Sequence, residues 1–172
     1  MTSGEPAGIR ILGSLRAVDG KGAVRMEDRL DTDIDNVWSA ITDPVRLDRW
    51  LGAVEGDLRQ GGEYRFHFYA SESEGTGRVE ACEPSRRLLL TTALGTPNEH
   101  VIEVTLAGDD GKTTVVWVER GVPLNYLVGY GAGVQIHVED LAAYLAGRER
   151  CDAQARWREL QPAYEDLAAK VV

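Results

Sequence analysis

Apolar residues recur along this chain with two periods, and the change from one to the other divides it. Between residues 9 and 120 the pattern is mostly alternation. Val24, Met26 and Asp28 alternate with Arg25, Glu27 and Arg29; Tyr64, Phe66 and Phe68 alternate with Arg65, His67 and Tyr69; Ile102, Val104 and Leu106 share a third face. Side chains two apart point to the same side of a strand, so each run predicts a strand with one buried face. Turn residues separate the runs: Asp19-Gly20, Gly61-Gly62, Pro84, Gly95 to Pro97, and Asp109-Asp110-Gly111. Asp-Gly between strand-like runs signals a tight hairpin. An antiparallel meander is the expectation.

The period changes twice. In DTDIDNVWSAITDPVRLDRWLG, Asp33 or Asp35 is placed to cap a short helix holding Val37, Trp38 and Ile41. Asp43-Pro44 ends that helix and starts another bearing Leu47, Trp50 and Leu51, closed by Gly52. The second change is longer. Residues 122–147 carry Leu127, Val134, Val138, Leu141 and Leu145 at helical spacing, entered at Pro123 to Asn125 and left at Gly147. About twenty residues at a 1.5 Å rise make a rod of roughly 30 Å, enough to cross a small domain. One-faced antiparallel strands need a packing partner, and this rod is the candidate. Its interior glycines, Gly129, Gly131 and Gly133, each cost about 1 kcal/mol of helix stability relative to alanine. They point to a close approach of helix and sheet.

Residues 1–8 hold little to bury and predict a disordered lead-in. Residues 9–147 form the predicted domain. Residues 148–172 predict a helical tail on the same domain, with Trp157 and Leu160 before a break at Pro162 and Tyr164 and Leu167 after it. The tail reads as an amphipathic appendage outside the domain, or as a contact in a homodimer.

Length and composition narrow the partners. With 172 residues the chain fits one domain that buries roughly 70 % of its unfolded surface. A net charge of -9 argues against nucleic acid and anionic membrane surfaces. No apolar run approaches a membrane span and the first residues lack the pattern of a secretory signal, so the expected location is the cytoplasm. Cys82 and Cys151 predict two reduced thiols.

Two strands, two short helices, a curved antiparallel sheet and one long helix is an order that resembles the helix-grip fold of the START-like or SRPBCC superfamily, an α+β class. Within it, ITDPVRLDRWLG, the segment Gly61 to Arg65, GTGRVEACEPSRRL and GVQIHVEDLAAYLAG look like the family of activator of heat-shock protein 90 ATPase homologues. The likeness covers residues 23–147. It implies a sheet that wraps the long helix incompletely and leaves a cavity for an apolar or amphipathic small molecule. On that reading the cavity residues are Trp38, Trp50, Tyr64, Phe66, Phe68, Ile102, Val104, Val115, Trp117, Glu119, Tyr126, Tyr130, Val134 and His137. The same side chains equally suit a filled core.

The residues leave the chemistry open. Glu119 shares a face with Val115 and Trp117, so its carboxylate points inward near a strand end, as a general acid or base, or as a rim carboxylate or ion pair. Tyr130 and His137 stand beside the helical stripe at the cavity mouth, His137 as a base or a hydrogen-bonded flank residue. His67 is expected to face solvent, and His100 to be exposed at the start of its strand. Trp38 is expected to anchor its helix in the core and Trp50 to stand at the cavity entrance. No histidine or cysteine spacing makes a zinc site, no Gly-x-Ser-x-Gly elbow presents a serine, and the helix glycines precede no phosphate-loop lysine. No cofactor is implied. The leading expectation is a non-catalytic binding module. Its alternatives are a polyketide cyclase-, aromatase- or hydrolase-like enzyme using Glu119, Tyr130 and His137, and a partner of the heat-shock protein 90 chaperone.

Overall fold

The structure, a computed structural model, describes residues 9–171. The predicted disordered lead-in, residues 1–8, lies outside them. Strands β1 (Gly13–Val18) and β2 (Lys21–Leu30) form a hairpin whose turn, Asp19-Gly20, has both φ angles positive, at 52° and 78°. That is the backbone an Asp-Gly pair accepts most readily, and it matches the right-handed twist of the strands it joins. Helices α1 (Ile34–Thr42) and α2 (Pro44–Trp50) follow. Asp33 caps α1 by accepting from the Asn36 N–H. Asp43 both ends α1 and caps α2, with Pro44 in the first turn.

Six strands then complete the sheet: β3 (Gly52–Gly56), β4 (Glu63–Phe68), β5 (Glu74–Glu83), β6 (Arg87–Thr92), β7 (His100–Asp109) and β8 (Lys112–Val122). All eight pair antiparallel in the order β1-β2-β8-β7-β6-β5-β4-β3. Register shifts at Gly22/Ala23 and Val79/Ala81 are places where the ladder bends and gains twist. The alternations seen in the sequence are the burial pattern: Val24, Met26, Tyr64, Phe66, Ile102, Val104, Leu106, Val115 and Trp117 all lie inside.

A single 3-10 turn (Leu124–Tyr126) leads into α3 (Leu127–Leu145), which ends before Gly147 at φ 76°. Within the sheet, α3 packs on β1 and β2. It therefore leans on one edge of the curve, and the inner face of β4, β7 and β8 stands off from its first turns. Helix α4 (Ala153–Ala169) packs along α3 and against β1. The expected break at Pro162 does not occur; α4 runs through it. Pro162 is exposed, as is Arg158, whose carbonyl loses its N–H donor, so solvent can take the donor's place.

Helix α4 is fastened from within. Tyr164 and Leu160 are fully buried, and the Tyr164 hydroxyl donates to Oε1 of Gln135 on α3. The same oxygen accepts from the Leu12 N–H, and Gln135 Nε2 donates to the Arg10 carbonyl at 2.6 Å. Among the helices, Trp50 donates to the Ala40 carbonyl and Arg46 reaches both the Asn36 carbonyl and the Tyr144 hydroxyl. No helix among the described residues is long and apolar enough to cross a membrane.

The three helix glycines differ in what surrounds them. A Cβ on Gly131 would stand 2.5 Å from the Tyr164 ring and 3.2 Å from Leu15, so this glycine permits the contact of α3 with α4 and β1. The expected close approach to the sheet holds only in that form. Gly133 has open space where a Cβ would go, and at Gly129 the nearest atom, on Trp157, is 3.8 Å away. One substitution should therefore act with opposite signs two residues apart. Gly131→Ala is expected to destabilise by about 1–3 kcal/mol through overpacking against Tyr164. Gly133→Ala should stabilise by about 0.5–1 kcal/mol through helix propensity. Urea unfolding of the two variants beside the parent chain measures both, and equal signs would contradict the packing described.

Candidate functional site

Where α3 stands off the sheet, a cleft opens between its first three turns and the inner face of β4, β7 and β8. Phe66, Phe68, Ile102 and Trp117 form its sheet side; Tyr126, Tyr130, Val134 and His137 form its helix side, with Gly129 and Gly133 giving it width. Glu119, His100, Thr92 and Asn98 close one end, and Ser71, Ser73 and Glu74 stand at the mouth. A smaller apolar pocket of about 80 Å³ lies deeper, against α1 and α2, lined by Trp50, Leu51, Tyr64, Val79, Leu88 and Val104 among others. Phe68, Ile102 and Trp117 line both voids and are the partition between them.

Most of the residues expected in the cavity line one void or the other, and three positions need correction. Val115 is 1 % exposed and faces neither void; it packs in the core on the same strand face as Trp117, nearer the far end of β8. Trp38 lines neither and covers the core's edge half-buried. Trp50 is not at an entrance: it is 1 % exposed, anchored to the Ala40 carbonyl, and walls the inner pocket.

The main polar feature of the cleft was missed at one of its two ends. His100, expected at the surface, is 7 % exposed, and its Nε2 lies 2.6 Å from Oε1 of Glu119. Its alternation with Ile102 and Val104 was the signal: a residue two before Ile102 shares its inward face. Ile102 is the register partner of Glu119, which puts His100 and Glu119 on one diagonal of the β7–β8 ladder. Glu119 does point inward, as its face predicts, and it is buried rather than at a solvated rim. Its second oxygen accepts from the Trp117 indole N–H at 2.9 Å.

The partners define the protonation of this pair. His100 Nδ1 stands 2.7 Å from the Asn98 carbonyl, which only accepts, so Nδ1 carries a proton. Nε2 faces a carboxylate and holds the second. Burial works against the imidazolium, but the hydrogen bond and charge of Glu119 and the Asn98 carbonyl outweigh it, and the pKa of His100 is raised. The pair is a buried ion pair whose nitrogens are both engaged. Tyr130 packs edge-on to His100 with ring centres 5.0 Å apart, and burial, then the charge of Glu119, raise its hydroxyl pKa. Tyr64 is pushed up to about 12 by burial, opposed by a Thr92 hydrogen bond and aided by Glu119.

His137 is the opposite case. It is no flank residue: 7 % of it is exposed, and its Nε2 is buried without a hydrogen-bond partner. Its ring lies edge-on to Phe68 at 5.3 Å and tilted to Trp117 at 6.1 Å. Burial lowers its pKa to about 4, against a smaller upward pull from Glu119, so it is neutral at pH 7. His67 is exposed, as its alternation predicts.

The two buried histidines tilt stability in opposite directions with pH. An unfolded histidine binds its proton near 6.5. Between 6.5 and about 4 the unfolded chain holds a proton at position 137 that the folded chain lacks, so stability falls with pH in that window, by about 3 kcal/mol from this group. His100, with its raised value, contributes stability that is full below 6.5 and is lost as pH rises through its folded pKa. Comparing urea unfolding at pH 4.5 and 6.5, His137→Leu is expected to lose about 2 kcal/mol less than the parent on acidification; an equal loss in both would show that His137 is not buried neutral.

The comparisons with known proteins agree with this architecture. The family model for Activator of Hsp90 ATPase homolog 1-like protein matches residues 31–146. The crystal structure of CalU16 from Micromonospora echinospora superposes with a TM-score of 0.74 at 26 % identity, over 91 % of this chain and 95 % of CalU16. DynU16, a protein of the dynemicin biosynthetic locus, gives 0.67 at 29 % identity, over 76 % of this chain and 50 % of its own. The Bordetella parapertussis protein encoded by BPP1335, at 19 % identity and a TM-score of 0.69 over 94 % of both chains, shares the fold. No curated protein matches. A curved eight-stranded sheet gripping one long helix, with the family match spanning α1 to the end of α3, places the chain in the Activator of Hsp90 ATPase homolog 1-like family of the SRPBCC superfamily.

Proposed function

We propose that the protein binds an apolar small molecule in the cleft between α3 and the inner face of β4, β7 and β8, and holds it without converting it. The carrying observation is the gap itself: at Gly133, which lines the cleft with Phe66, Phe68, Ile102 and Trp117, a Cβ would meet nothing within 4 Å. Concave, largely apolar sites with a few polar groups are the usual form of a small-molecule site. Each Å² of apolar ligand surface removed from water there contributes about 25 cal/mol. The likeness to DynU16, from a biosynthetic locus, supports a small organic molecule as the occupant.

The polar groups favour holding over turnover. A general acid or base needs a free position within hydrogen-bond reach of the ligand. Both nitrogens of His100 and both oxygens of Glu119 already have protein partners. Their role is to seal the polar end of the cleft with a closed network.

Nile red, an uncharged dye that brightens in apolar surroundings, is expected to bind the purified protein saturably and to quench Trp117. Gly133→Leu places a side chain in the open space of the cleft. It should weaken dye binding by about tenfold or more, equivalent to about 1.4 kcal/mol, without lowering the unfolding midpoint. Undiminished binding by a folded Gly133→Leu protein would place the dye elsewhere and count against this site.

A further inference from the structure

His137 is the group in the cleft whose hydrogen bonding is unfinished. An imidazole nitrogen withdrawn from water without a partner is unfavourable, and a ligand group that bonds to it removes that cost. The ring is covered by Phe68 and Trp117, two of the three side chains that divide the cleft from the inner pocket. Of those three, Ile102 and Trp117 are buried and Trp117 is tied to Glu119, whereas Phe68 is half-buried at the last residue of β4. Phe68 is therefore the least buried member of the partition. A turn of its ring would join the two voids and expose the edge of the His137 ring.

We propose that His137 is the polar anchor of the cleft and selects neutral aromatic ligands bearing a hydroxyl or carbonyl group, which reach it when Phe68 turns aside. This rests on the cleft being a ligand site. The aromatic preference follows from the walls, where Phe66 and Phe68 stack at 4.5 Å beside Trp117 and Tyr130. Ring-on-ring contact adds attraction beyond area burial. The exclusion of acids follows from charge. No lysine or arginine lines the cleft, Glu74 stands at its mouth, and the one cation, His100, is committed to Glu119. A ligand carboxylate would be buried beside Glu119 with no counter-ion, which is strongly unfavourable. The single hydrogen-bonding group follows from His137, whose Nε2 donates or accepts once.

Three probes of one shape separate these terms: 2-naphthol, 2-methylnaphthalene and 2-naphthoate, titrated at pH 7.5 by tryptophan quenching. The parent protein is expected to bind 2-naphthol about tenfold more tightly than 2-methylnaphthalene, the scale of one buried hydrogen bond, and 2-naphthoate most weakly. His137→Leu should lose the preference by weakening 2-naphthol alone, and Phe68→Ala, which uncovers His137, should widen the preference of 2-naphthol over 2-methylnaphthalene. Equal affinity of the parent for the two neutral probes, tight binding of the acid, or a preference that survives in His137→Leu would overturn the proposal. Should His137→Leu fail to fold, the order of the three probes on the parent chain still decides it. If no probe binds the parent, the ligand-site reading fails, and this proposal with it; binding of both neutral probes without discrimination defeats only the role of His137.

Discussion

The arrangement of this domain hangs on the amide of Gln135. Fully buried in the middle of α3, it accepts from Tyr164 on α4 and from the backbone of Leu12, and donates to the backbone of Arg10. A buried amide is tolerated only when its partners are present, so these contacts form together or not at all. They draw α3 toward the β1 edge and the C-terminal helix. With the helix pulled to that side, its other face meets β4 and β7 through the ring contacts of His137 with Phe68 and of Tyr130 with His100, and leaves a cleft beside them. The cleft is thus a consequence of where α3 is anchored, and Gly131, which lets Tyr164 approach, is part of the same constraint.

Within the cleft two histidines one element apart solve burial in different ways. His100 is charged and completely partnered; His137 is neutral and lacks a partner at Nε2. The ion pair is weak support for stability, because withdrawing two charges from water costs about as much as their attraction returns. Its effect is local instead. It fixes a carboxylate and an indole N–H in the wall, which leaves Glu74 at the mouth as the uncommitted charge among the described lining residues. The cleft thus combines aromatic walls, a closed polar end and one uncommitted nitrogen, the features on which the proposed selectivity rests.

The fold was legible because it rests on period. Strand faces, the Asp-Gly hairpins, the shared Asp43 cap and the end of α3 at Gly147 are local signals, and each appears where its residues place it. The site was legible on the same terms for Phe66, Phe68, Trp117 and Glu119, which follow from alternation. His100 obeys alternation too; its position after a Pro-Asn turn suggested solvent, and the strand pairing decided otherwise. Gln135, Tyr164 and the course of α4 through Pro162 were not legible, because they depend on which helix meets which across long stretches of chain. The three glycines show the limit most plainly: identical residues at equal spacing, one filled by a neighbour's ring and one facing empty space.

That last contrast follows from helix geometry. Successive residues turn by 100°, so positions 131 and 133 point 200° apart. Gly131, Gln135 and Val138 fall toward β1 and α4, whereas Gly129, Tyr130, Gly133 and His137 fall toward the cleft. Anchoring and the proposed binding site therefore occupy different faces of one helix. Side chains on the cleft face pack on the sheet through rings, Tyr130 on His100 and His137 on Phe68 and Trp117, whereas the buried hydrogen bonds of the helix lie on the other face. The unpartnered Nε2 of His137 lies on that cleft face, and the fully partnered amide of Gln135 on the other.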